Sequence, residues 1–262
     1  MQFDPTFRDD LLGDDLWRRA MIDLLLSAPG EYAGLRVDQE AVTAVPLYER
    51  QLTFPQPTLW TRLYEGDRLW MSDTPQERLM MLRGTTGMQG HVLVAGGGLG
   101  LYPQLLRRYA PVQRVTVVER HPVVAGLLAE TLAGDKAIQI IHASFAEYIA
   151  GQTPAAFDGC YIDIHPTLDP RWLPGLNWLR DRCAGIVKGT LRIWGYDWMA
   201  RELVKGLEKE YISLLRQNLT FDDPFGRGLR QELPSGWRAW PEEELRAWLT
   251  EYAYRAAWPV EW

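Results

Sequence analysis

The chain has 262 residues, 47% of them hydrophobic and 24% charged, ordinary values for a globular protein able to bury a large core. Its formal net charge is −6, with Lys and Arg scattered rather than clustered, which argues against a general nucleic-acid surface. Met1-Gln2-Phe3-Asp4 lacks the basic start and apolar core of a signal peptide, and the longest uncharged stretch, residues 91–106, is too glycine-rich and polar to span a bilayer. The expectation is a cytoplasmic protein with no membrane and no nucleic-acid partner. Cys160 and Cys183 sit in or beside apolar segments and read as two reduced, buried thiols rather than a disulfide.

Residues 7–28 carry Leu11, Leu12, Leu16, Ile22, Leu25 and Leu26 at helical spacing, and Pro29-Gly30 ends the pattern. This predicts an amphipathic N-terminal helix. Residues 47–71 are rich in β-formers: Leu52-Thr53-Phe54 stops at Pro55, Pro57 restarts the chain, and Glu65-Gly66-Asp67 is a turn before Arg68–Met71. A small hairpin sheet follows from that pattern. Ser72-Asp73-Thr74-Pro75 then opens a helix with Asp73 or Thr74 as cap and Pro75 in the first turn. Asp73 is also a candidate substrate contact, because this helix leads into the next strand.

From His91 onward strands and helices alternate. Strands are expected at 91–95, 114–119, 137–142, 159–164 and 190–194, with helices at 101–110, 122–133, 144–150 and 170–183. The first, second and fourth strands are near-continuous apolar runs, the mark of parallel strands covered on both faces. The alternation predicts a doubly wound α/β sheet whose ligand site lies beyond the strands' carboxyl ends. A helix over 198–217, an irregular segment over 221–236 and a last helix over 241–254, opened by Glu242, Glu243 and Glu244, complete the chain. Of the 12 tryptophans, Trp237, Trp240, Trp248, Trp258 and Trp262 fall in this tail. The expected division is an N-terminal helix and hairpin region over 1–88, a Rossmann-like domain over 89–220 and a Trp-rich helical tail over 221–262.

Within the alternation, Val92-Leu93-Val94-Ala95-Gly96-Gly97-Gly98-Leu99-Gly100 reads as a buried strand followed by a glycine turn. Val115-Thr116-Val117-Val118-Glu119 reads as a second strand ending in a carboxylate, nineteen residues after Gly100. That separation suits a turn that meets a nucleoside and an acid that holds its ribose. The dinucleotide pattern G-x-G-x-x-G fails when counted from Gly96, because its third glycine falls on Leu101. The spacing G-x-G-x-G at 96, 98 and 100 fits an S-adenosylmethionine turn better.

On these residues, and on Phe157-Asp158-Gly159-Cys160-Tyr161-Ile162-Asp163, the chain resembles the class I S-adenosylmethionine-dependent methyltransferase superfamily over roughly residues 47–195. The triple glycine, with a hairpin sheet just before it, is more similar to the spermidine-synthase-like branch. The resemblance implies S-adenosyl-L-methionine as cofactor, with Gly96, Gly97, Gly98 and Gly100 against its methionine and ribose portion. Glu119 would accept from both ribose hydroxyls, Arg120 and His121 would flank the adenine, and Ser144 stands where an acid usually meets the adenine amino group. Asp163 would adjoin the cofactor and orient an amine acceptor. Asp163-Ile164-His165-Pro166 resembles the acidic, proline-containing loop of small-molecule N-methyltransferases, and His165 is a candidate general base. Trp194 and Tyr196, beyond the fifth strand, are candidate walls of the acceptor pocket, with Asp197 a cap for the next helix. No histidine spacing suggests a metal.

The sequence departs from the branch at Leu99, where an acid usually follows the triple glycine, and at Pro166, where a second acid usually activates the amine. The strands that normally close a methyltransferase sheet after the fifth are not found. The favoured expectation is a methyltransferase of a small, amine-bearing molecule. An aminopropyltransferase and a non-catalytic cofactor-binding or assembly protein remain alternatives, and a homodimer contact is one role for the tail.

Overall fold

The computed structural model describes residues 14–47, 50–206 and 224–259. The chain divides into two compact units, one of residues 1–166 with 185–194 and one of residues 167–184 with 195–262.

The first unit begins with α1 (Asp14–Ala20). The long helix expected over 7–28 stops there, and its residues 7–13 lie outside the described residues. Its continuation is displaced by side chains that take over the backbone bonds. Arg78 donates from Nη1 to the carbonyls of Ala20 and Ile22, at 3.3 and 2.7 Å. Gln104 pairs with both the amide and the carbonyl of Leu25, each at 2.8 Å. A segment whose polar groups are met this way gains little from a helical ladder.

The hairpin expected over 47–71 is a larger antiparallel sheet of four strands in chain order: β1 (Gly30–Tyr32), β2 (Leu35–Leu47), β3 (Arg50–Glu65) and β4 (Arg68–Ser72). Pro55 and Pro57 do not break β3. The ladder passes from Val42↔Thr58 to Ala44↔Thr53, so both prolines fall in an irregularity where no ladder amide is required of them. Helix α2 (Pro75–Gly84) follows, with Thr74 at its N-cap position and no side-chain cap bond.

The second sheet is parallel, with β5 (Gly90–Ala95), β6 (Val112–Glu119), β7 (Ile138–His142), β8 (Phe157–Ile162) and β9 (Val187–Ile193) in the order β7-β6-β5-β8-β9. All five expected strands are present, and among the described residues no sixth or seventh joins them. Helices α3 (Leu101–Tyr109), α4 (Pro122–Thr131) and α5 (Phe145–Ala150) link the first four. Val92, Leu93, Val94 and Ala95 are all buried although their side chains alternate in direction, as a strand covered on both faces requires. The order reverses between β5 and β8, so the turns that follow these two strands meet at the carboxyl edge, where sheets of this kind bind their ligands.

The described residues of the second unit form helices and the segments that link them. Asp169 accepts from the Arg171 amide at 2.9 Å, caps a short turn at Pro170–Trp172 and leads into α6 (Leu173–Cys183). Helix α7 (Tyr196–Gly206) starts before Asp197, so that acid lies in the first turn rather than at the expected cap. The rest of the helix expected over 198–217, residues 207–217, lies outside the described residues. The stretch 221–236, expected to be irregular, contains α8 (Pro224–Glu232), its residues 221–223 being outside the described ones. Pro224 occupies its first turn, where a missing amide costs nothing. Helix α9 (Glu242–Arg255) closes the unit and packs on α6 and α7. Asn177, fully buried, donates to the carbonyls of Ala253 and Ala256 and so caps the end of α9.

Candidate functional site

The loops after β5, β6 and β8 interlock through their backbones. Gly96 donates to the Val118 carbonyl and Asp163 to the Ala95 carbonyl, both at 2.9 Å. Gly96 has φ +83°, and a Cβ there would lie 2.0 Å from the Asp163 carbonyl oxygen. Only glycine fits so close a crossing of two backbones. Gly98, with φ +49°, lies under Met71, whose sulfur would be 2.3 Å from an added Cβ. That sulfur also accepts from the Leu99 amide at 3.1 Å. Gly97 follows Gly96 into the turn, and Gly100, in a left-handed conformation, stands at the N-cap position of α3.

Glu119, the last residue of β6, is aimed at this turn. Its Oε2 accepts from the Gly97 amide at 2.8 Å and its Oε1 from the His121 amide at 2.7 Å. Each carboxylate oxygen has a second lone pair, so the group is fixed in direction while still able to accept from a diol. Ser144 stands at the N-cap position of α5 without a side-chain cap bond, and its carbonyl accepts from Tyr148. Arg120 is exposed, and its carbonyl lies 3.1 Å from His142 Nε2.

Asp163 lies one residue beyond β8. Burial, and then the charge of Glu119, push its carboxyl up to about 7. Nothing in the local pattern marks the acid on which its charge acts. Glu77, in the first turn of α2, accepts from the Ser72 amide at 3.0 Å. Burial first, then the charges of Asp163 and Asp73, raise it to about 8 against the Ser72 amide. An acid in a first helical turn is the ordinary complement of the helix dipole, so local pattern alone does not distinguish it. Met71 was likewise invisible as a neighbour of the glycine turn.

His165 is 4% exposed and neither ring nitrogen meets a partner at hydrogen-bonding geometry among the described residues. Burial lowers its pKa to about 4, the Trp194 backbone opposing part of that shift, so the ring is neutral at pH 7. Its centroid lies 5.3 Å from the tilted Trp194 ring, whose Nε1 is also buried without a partner. Buried polar atoms are normally paired, and these are the sort of exception a ligand explains.

Two predicted residues already have partners within the fold. Asp73 is neither a side-chain cap nor open to a ligand. Its Oδ1 accepts from the Thr61 amide at 2.6 Å and its Oδ2 from Arg78 at 3.0 Å, an ion pair buried on both sides that joins β3, β4 and α2. Tyr196 belongs to the second unit, where its hydroxyl accepts from Arg180 at 2.8 Å and donates to Asn177. Cys160 and Cys183 are buried and form no disulfide with one another, as expected. Among the described residues no group of His, Cys, Asp or Glu is arranged to hold a metal, and no helix is long and apolar enough to cross a membrane.

No protein-family model matches this chain, and no curated protein matches it. Among solved structures it is similar to spermidine synthase from Thermotoga maritima, at 18% identity and TM-score 0.36, over 64% of this chain and 64% of that one. It is also similar to the 23S rRNA methyltransferase ErmE, at 22% identity and TM-score 0.33, over 42% of each chain. A methyltransferase from Geobacter sulfurreducens is similar at 17% identity and TM-score 0.34, over 45% of this chain and 58% of that one. The chain thus spans less than two thirds of each of these proteins. These are likenesses of fold.

Proposed function

We propose that the chain is an S-adenosylmethionine-dependent methyltransferase of a small, amine-bearing molecule, with the cofactor in the crevice between the β5 and β8 turns. The observation that carries this reading is the pairing of a glycine turn with carboxyl groups from three elements, Glu77, Glu119 and Asp163, two of them raised by burial. A dinucleotide would bring the negative charge of a pyrophosphate against them. S-adenosylmethionine brings a cationic sulfonium and a cationic ammonium, which such a site attracts. Its ribose suits Glu119, whose free lone pairs face outward from the Gly97 and His121 amides.

The cofactor supplies an electrophilic methyl group on a positively charged sulfur. Asp163 would hold the acceptor ammonium and take its proton, leaving the nitrogen lone pair turned toward the place where that methyl group would stand. A carboxyl near 7 is well matched to proton transfer at neutral pH. His165, at about 4, is too weak a base for that step. With Trp194 it offers hydrogen bonds to an uncharged part of the acceptor instead. Orientation by these groups supplies much of the rate.

Calorimetry with S-adenosylmethionine and S-adenosylhomocysteine tests the cofactor, and methyl transfer to a panel of primary amines, read by mass spectrometry, tests the reaction. Saturable binding of both is expected. Absence of binding at millimolar ligand to folded protein overturns the reading, and binding without transfer to any amine leaves the cofactor while removing the acceptor class.

A further inference from the structure

Four amides of the glycine turn have acceptors inside the protein. Gly96 gives its N–H to the Val118 carbonyl at 2.9 Å, and Gly100 gives its own to the Gly97 carbonyl at 2.8 Å. The other two go to side chains that other elements bring: Gly97 to Glu119 at 2.8 Å, and Leu99 to the Met71 sulfur at 3.1 Å. Glu119 already has a part in the proposed site, and Met71 has none. Residue 99 is a leucine where the branch that the sequence resembles has an acid. Its side chain is 1% exposed and belongs to the core, so position 99 acts at the turn through its amide.

The thioether is aimed at that amide by an irregularity in β4. Leu63 pairs with Met71 and Tyr64 with Leu69, so Trp70 is an extra residue in the ladder. A bulge of this kind redirects the side chain beside it. Trp70 is itself held, donating from Nε1 to Glu65 at 3.0 Å with the Arg68 guanidinium 4.8 Å above its ring. Met71 then lies directly on the turn, since a Cβ on Gly98 would come within 2.3 Å of its sulfur.

We propose that Met71 is a positioning residue of the adenosyl site: its sulfur fixes the Leu99 amide and, through the turn, the direction of Glu119. The proposal rests on the methyltransferase reading above. A buried amide that loses its acceptor turns toward water or another partner. Gly98 lies between Leu99 and Gly97 at a positive φ and gives way easily to such a rotation. The Gly97 amide is the one that holds Glu119 Oε2, so a shift of the turn misdirects the carboxylate meant for a ribose. The sulfur's part is that of an acceptor, which an apolar side chain of equal size does not replace.

Amide hydrogen exchange at Leu99 and calorimetry with S-adenosylhomocysteine read the two ends of this chain of contacts. Met71→Leu nearly conserves volume and removes the acceptor. It is expected to stay folded, to speed exchange of the Leu99 amide about tenfold and to weaken S-adenosylhomocysteine about tenfold. Met88 is the control, a buried methionine whose sulfur packs on Gly159 within β8 rather than on the turn. Met88→Leu is expected to leave the affinity within about twofold. Added to Glu119→Ala, Met71→Leu is expected to cost less than about threefold more, because its effect runs through Glu119. Unchanged affinity in Met71→Leu, an equal loss in Met88→Leu, or a full further tenfold in the double variant each overturns the proposal. If Met71→Leu fails to fold, the wild-type protein decides: slow exchange at Leu99 is expected, and exchange at the rate of an open amide overturns it. Failure of S-adenosylhomocysteine to bind wild-type protein removes the cofactor reading itself. Wild-type binding that Met71→Leu leaves unchanged removes this proposal alone.

Discussion

Asp158 and Asp163 stand at opposite ends of β8 and have opposite environments. At the amino end, Asp158 accepts from the His91 amide at 2.9 Å and faces Lys188 at 3.7 Å. The backbone bond, with the lysine charge behind it, holds that carboxyl below its ordinary range. At the carboxyl end, Asp163 has burial and a second acid for company and is raised to about 7. The first acid is satisfied by the fold. The second is raised by burial and by the charge of Glu119, the kind of environment that recurs at functional sites. The Asp73–Arg78 pair teaches the same lesson at the start of α2, where Asp73, just before the helix, is paired and Glu77, in its first turn, has no cation among the charges that shift it.

The largest expected effect is at the crossing that sets the carboxyl end. Gly96→Ala forces a Cβ onto the Asp163 carbonyl oxygen at a positive φ, and is expected to cost about 3 kcal/mol of stability together with ligand binding. Thermal unfolding with and without S-adenosylhomocysteine checks this, and an unchanged midpoint would show that the two turns do not cross as described. Next comes Glu119→Ala, expected to weaken S-adenosylhomocysteine at least tenfold, or about 1.4 kcal/mol, with the fold retained. Equal affinity in calorimetry refutes the ribose contact.

Asp163→Asn and Asp158→Asn sharpen the contrast directly. Above pH 7, removing the Asp163 charge is expected to stabilise ligand-free protein by roughly 1 kcal/mol, because a half-buried charge close enough to feel that of Glu119 disappears. Asp158→Asn is expected to lower the melting midpoint under the same conditions. Shifts of the same sign would mean that the two ends of β8 do not differ. The smallest effect is a pH slope. Glu77 and Asp163 keep protons in the folded state that the unfolded chain releases near pH 4, so their stabilisation is lost as pH rises toward about 7 and 8. His165 runs the other way, since an unfolded imidazole takes a proton below 6.5 that the buried ring refuses until about 4. Above pH 6.5 only the carboxyls act, and ligand-free protein is expected to melt lower at pH 8.5 than at pH 6.5. A flat profile there contradicts the raised carboxyls.

Much of the parallel sheet was legible because its signals are local. The apolar runs at 92–95, 115–118 and 160–162 need no partner to be read as buried strands. The glycine spacing that ends β5 and the acid that ends β6 follow from the same reading. Two misreadings show where local pattern loses to context. The helix over 7–28 has the right periodicity, yet Arg78 and Gln104, far along the chain, capture its backbone at Ala20, Ile22 and Leu25. The prolines of β3 looked like strand ends, yet the ladder skips the residues that carry them.

Asp73 and Glu77 are told apart for a similar reason. Four residues apart beside one helix start, they are equivalent by pattern, and Asp73 leads toward the strand. The Thr61 amide and Arg78 consume both oxygens of Asp73, while Glu77 keeps one oxygen free of any backbone amide. Burial lowers His165 to about 4, a shift that no spacing encodes.

By itself the sequence determined the alternation of strands and helices, the glycine turn and the acid that faces it, because hydrophobic period and backbone freedom are properties of neighbouring residues. Only the tertiary structure decided which carboxyls are balanced and which are not. Burial and opposing charge depend on what distant segments bring to a site, and here β4 and α2 bring Met71 and Glu77 to the turns of β5 and β8.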